Sequence, residues 1–131
     1  MRRAVLAVLL LPLAGCAAQS STSGKFKGQG QDVAKVVADL SAAGRTSNAA
    51  KICDDILAKE LVQQLRAAGG DCQTEMKAAI QDATDYDLQV ADVQVNGSRA
   101  TAKVRQGKDG KVVTFTFVKE NGGWRATSLG G

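Results

Sequence analysis

Residues 88–129 read LQVADVQVNGSRATAKVRQGKDGKVVTFTFVKENGGWRATSL, and the fold is decided here. Apolar and polar residues alternate, the period of strands that bury one face and wet the other. Leu88 and Val90 alternate with Asp87 and Gln89, but the next apolar pair is Val93 and Val95. One residue at Ala91-Asp92 is therefore surplus, the mark of a β-bulge that bends a strand. Asn96-Gly97 is a two-residue hairpin signal. The return strand, Arg99 to Arg105, puts Ala100, Ala102 and Val104 on one face. Lys108-Asp109-Gly110 turns the chain again, and Val113, Phe115 and Phe117 then face away from Thr114 and Thr116. After a last turn at Asn121-Gly122-Gly123, Trp124 to Leu129 completes an antiparallel meander. Thr101, Lys103, Arg105, Thr114 and Thr116 make its other face polar, which favours a monomer over pairing through the sheet.

Upstream of Asp85 the period is helical. Val33, Val36, Val37 and Leu40 fall at i, i+3, i+4 and i+7, one apolar stripe, and Gly44 is read as the end of that helix. Thr46 or Ser47 is expected to cap a second helix, with Ala49, Ala50, Ile52, Cys53, Ile56 and Leu57 on or near its inner face. A third run, Leu61, Val62 and Leu65, ends at Gly69-Gly70. Asp71 caps a fourth helix whose Cys72, Met76, Ala79, Ile80 and Ala83 face inward. Helices followed by a meander predict an α+β domain, with N-terminal helices packed on one face of a curved four-stranded antiparallel sheet.

The first residues have a different purpose. Met1-Arg2-Arg3 is a short basic start, and residues 4–14 are apolar and uncharged. Eleven helical residues span only about 16 Å, well short of the ~30 Å hydrocarbon core of a bilayer, so this is a leader and not a membrane span. Leu13-Ala14-Gly15-Cys16 follows, matching the lipobox of bacterial lipoprotein precursors. That resemblance implies cleavage before Cys16 and diacylglycerol on its thiol; an ordinary secretory leader with a spare thiol is the alternative. Two or more acyl chains anchor stably where one does not. The expected address is the extracytoplasmic face of the cell membrane, with the membrane itself a partner through the lipid. Arg2-Arg3 lacks the flanks of a twin-arginine motif and reads as a plain basic start. Residues 17–30, AAQSSTSGKFKGQG, are expected to be a flexible tether, in which Lys25 and Lys27 either touch anionic headgroups or only solubilise it. The layout is thus a signal peptide at 1–15, lipidated Cys16 and tether at 16–30, and one domain at 31–131.

An exported domain that retains Cys53 and Cys72 is expected to join them in a disulfide, worth roughly 3 kcal/mol for a loop of this size. Two buried free thiols are the alternative; redox or metal chemistry has neither CxxC spacing nor a His to call on. The total absence of His among 131 residues removes the commonest general base and zinc ligand together. No metal and no cofactor is expected. Residues 31–87 carry six basic and ten acidic side chains, and residues 88–131 carry seven and three. A dipole follows if those segments form separate layers, read as ordinary solvated surface with steering of an anionic partner as the alternative.

KICDDILAKELVQQL, then GGDC, then a bent meander ending VKENGGWRAT together resemble small bacterial lipoproteins of the NTF2-like (cystatin-like, SnoaL/ketosteroid-isomerase-type) superfamily. The resemblance covers roughly Gln31 to Ser128 and implies helices packed into a curled sheet, leaving a cone whose mouth can hold a ligand. Enzymatic members set an Asp base against a Tyr or acidic donor. Here Asp85 and the sole Tyr, Tyr86, are neighbours that point to opposite sides, and Asp92 sits at the bulge. Asp82, Asp85 and Asp87 lack the Gly and Glu of a calcium loop. Phe115, Phe117 and Trp124 are expected in the core and not as a nucleic-acid stacking platform. The expected function is a non-catalytic binding or interaction module whose partner is a small apolar ligand, a cell-wall component or an envelope protein. A small-molecule isomerase or hydrolase is the alternative. A cone filled by Met76, Phe115 and Trp124 would mean a surface-acting protein; an open apolar cavity would favour a hydrophobic ligand.

Overall fold

The computed structural model describes residues 26–83, 85–107 and 110–130. The leader, Cys16, Lys25, Thr84 and the turn residues Lys108 and Asp109 lie outside the described residues. No helix among the described residues is long and apolar enough to cross a membrane.

Helix α1 spans Gln29–Arg45 and buries Val33, Ala34, Val37 and Ser41. It begins inside the segment read as tether, and Phe26 ahead of it already packs against the core. The apolar ring of Phe26 stands alone among Gly and Lys, so no apolar pattern marks it in the sequence. Gly44 does not end the helix; it is buried in the last turn, and the left-handed residue that redirects the chain is Ser47, with φ of 54°. Nor do Thr46 or Ser47 cap the next helix. The Thr46 hydroxyl donates back to the Ala42 carbonyl, and the side chain of Asn48 accepts from the Lys51 N–H.

That second helix is shorter than its apolar pattern implied. A single turn, α2 (Ala49–Lys51), opens into a wide π-helical turn over Ile52–Ile56. Ala50 is consequently exposed, while Ile52 and Ile56 are buried. Leu57 is already extended and pairs in parallel with Ala126 of the last strand. Helix α3 (Lys59–Ala67) lies on the surface, burying none of its residues fully and resting Leu61, Val62 and Leu65 against the core. Helix α4 (Cys72–Asp82) starts as expected, with the Asp71 carboxylate accepting from the Thr74 N–H. The Cys53–Cys72 disulfide joins it to the π-turn, with the Cα atoms 6.1 Å apart.

Strands β1 (Leu88–Asn96), β2 (Arg99–Gln106), β3 (Val112–Glu120) and β4 (Gly123–Leu129) form one antiparallel sheet in the order β1-β2-β3-β4. The register between β1 and β2 shifts between Val90 and Asp92, at the expected bulge. A second shift between β3 and β4 leaves Thr127 unpaired, since Thr116 faces Ser128 while Phe117 faces Ala126. Both edge strands are therefore bent. Val90, Ala100, Ala102, Val104, Phe115, Phe117, Trp124 and Ala126 are buried on the face that the helices cover. Each of the two Phe side chains contributes about 1.5–3 kcal/mol of burial. Thr101, Lys103, Arg105 and Thr114 on the other face are exposed.

Candidate ligand-binding cavity

Helix α1 runs antiparallel to β1. Gly30, at its start, lies under Val93, and Gly44, at its end, lies against Tyr86, just before β1. Near that second end the layers part. A cavity of about 530 Å³ opens between the last turns of α1, the π-turn, α4 and the strand ends around the β2–β3 connection. Its volume is typical of a small-molecule site. Ile52, Ile80, Leu88, Val113, Phe115 and Leu129 are among the apolar residues that line it. Met76 also lines it, while Trp124 is buried elsewhere, on β4 beside the β3–β4 turn. Phe115 thus lines this space without closing it, and Trp124 does not enter it. Ala79, expected to face the core, is exposed and lies at the opening. The charged side chains there are Asp82, Asp85 and Lys111, all exposed.

The polar groups of the wall are engaged within the protein. Ser41, 4% exposed, donates its hydroxyl to the Tyr86 carbonyl and accepts from the Arg45 guanidinium at 3.1 Å. The Tyr86 hydroxyl donates to the Ile80 carbonyl at the end of α4. Asp85 accepts from the Asp87 N–H at 2.9 Å and packs against Gly107, whose own N–H donates to the Asp87 carbonyl. Asp87 forms an ion pair of 3.5 Å with Arg45. The linker between α4 and β1 is thus stitched to α1 on one side and to β2 on the other.

Asp82 and Asp85 reach the cavity mouth, whereas Asp92 is exposed on the bulge and faces Lys103 across the strand pair. Among the described residues no group of three or more Cys, Asp or Glu is arranged to hold a metal ion. Phe115, Phe117 and Trp124 are buried, in the core as expected. The contributions of Ser41, Gly44, Gln106 and Lys111 were not anticipated. For the first two a signal existed: Ser41 and Gly44 continue the Val33 and Val37 stripe, and small residues on a buried stripe mark a close neighbour. A second, more polar cleft of about 320 Å³ lies between α3 and the β3–β4 hairpin, with Lys59, Arg66, Glu120 and Arg125 on its walls.

No protein-family model matches the chain, and no curated protein or solved structure matches it either.

Proposed function

We propose that this chain is a bacterial lipoprotein held at the extracytoplasmic membrane surface by acylated Cys16, and that its folded part is an NTF2-like domain acting as a non-catalytic binding module. The cavity between the helices and the sheet is its ligand site. The observation that carries the reading is an open, apolar-walled space of about 530 Å³ where a protein without a ligand would be expected to close its core. The bulged edge strands support the cone, and the leader with Leu13-Ala14-Gly15-Cys16 supports the anchor. The Tyr86 hydroxyl and the Asp85 carboxylate, the nearest approach to an acid–base pair, each hold backbone groups, which supports binding over turnover.

Protein purified from its native membrane tests both halves. Its intact mass should equal the chain from Cys16 onward plus lipid, and organic extraction of the folded protein should release a small apolar molecule. A mass that retains residues 1–15 without fatty acid would remove the anchor. A crystal of the native protein with only water in the cavity, and nothing in the extract, would remove the binding role.

A further inference from the structure

The chemistry of the cavity wall narrows the ligand class, resting on the binding role proposed above. An apolar pocket fixes its ligand's orientation through a few convergent polar groups. In this cavity the buried side-chain donors among those groups are already used. Ser41 both donates, to the Tyr86 carbonyl, and accepts, from Arg45. The Tyr86 hydroxyl spends its proton on the Ile80 carbonyl. Among the described residues the one buried side-chain polar atom without a partner is Nε1 of Trp124, which does not line this cavity. The remaining polar side chains at the cavity, Asp82, Asp85, Gln106 and Lys111, are exposed and sit at the opening, in contact with water.

We infer that the ligand is a single-headed amphiphile. Its buried part is hydrocarbon without hydrogen-bonding groups, and its polar head stays at the rim among Asp82, Asp85 and Lys111. A hydroxyl or amide carried into the interior would give up its water and find, among the described residues, no unpaired buried side-chain donor there. A head group at the rim keeps its hydration and faces charges of both signs. Discrimination inside the cavity then rests on length and girth, because each methylene that leaves water adds a fixed increment until the space is full.

Alkyl carboxylates read this out directly. The mature chain, residues 16–131 carrying Cys16→Ser, has neither an acyl group nor the apolar leader to compete. It is titrated with octanoate, decanoate, dodecanoate and ω-hydroxydodecanoate below their micelle concentrations, by displacement of a fluorescent naphthalene probe. Affinity should rise roughly fourfold per added methylene and then level off. The ω-hydroxyl should weaken dodecanoate binding about tenfold or more. Ala79→Trp, at an exposed helical position on the opening, should abolish both effects while the thermal unfolding midpoint stays near that of the parent. If ω-hydroxydodecanoate binds as tightly as dodecanoate, or chain length has no effect while the probe still binds, the hydrocarbon class is overturned and the binding role stands. If neither the probe nor any carboxylate binds, both fall together.

Discussion

At the scale of single residues, Gly44 shows how far a sequence reading reaches. A glycine after an apolar stripe is ordinarily a helix stop. Here it is the site of a close approach: a Cβ built on it would lie 3.1 Å from the Tyr86 ring. The ring cannot easily give way, because its hydroxyl is bound to Ile80 and the Tyr86 carbonyl to Ser41. Elsewhere in a helix, Gly→Ala gains up to about 1 kcal/mol from reduced backbone entropy. At this position overpacking, typically 1–3 kcal/mol, opposes the gain. Gly44→Ala should therefore lower stability by about 1 kcal/mol, measured by urea denaturation, and a stabilised variant would contradict the contact. Nothing in the sequence pairs Gly44 with Tyr86, since the two come together only when α1 packs along β1. Local residues were more legible: Asp71 was read as a cap and is one, because its partner Thr74 lies within the same turn.

Among elements, the strands were the most legible, because period-two alternation survives into the sheet unaltered. The bulge at Ala91-Asp92 announced itself as a three-residue step between Val90 and Val93. The same step occurs between Ala126 and Leu129, and the same rule would have located the bulge at Thr127. The second helix was less legible. Its apolar residues are too densely spaced to select one face, and the chain resolves this by widening into a π-turn that buries Ile52 and Ile56 before Leu57 leaves for β4. The Cys53–Cys72 bond ties that irregular turn to α4. Replacing both cysteines with Ser should cost about 3 kcal/mol, seen as a lower denaturation midpoint. The π-turn and α4 both line the cavity, through Ile52, Met76 and Ile80, so the same variant should bind alkyl probes more weakly at temperatures where it is still folded. Unchanged affinity would separate the clamp from the site.

For the whole molecule, the unequal charge of the two halves becomes a property of layers. Among the described residues, the acidic segment 31–87 holds the helices and the basic segment 88–131 holds the four strands. The proposed anchoring also belongs to this scale. Cys16→Ser should abolish incorporation of a labelled fatty acid in the native cell, checked by metabolic labelling. A variant that still takes up the label would place the attachment elsewhere. The α+β architecture could be read from the chain because each element carries its own pattern. The cavity could not, because its wall is assembled from helix ends and strand ends far apart in sequence. No periodicity records a space.

Trp124 is the only tryptophan in the chain, buried on β4 beside the β3–β4 turn with the Lys119 ammonium 5.8 Å from the centre of its ring. The cavity opens at the other end of the sheet, near Gln106 and Lys111. Its intrinsic emission should consequently be blue-shifted in the native state and move to longer wavelength as the protein denatures. Occupancy of the distant pocket should leave that signal almost untouched, so one optical channel reports integrity while another reports cargo.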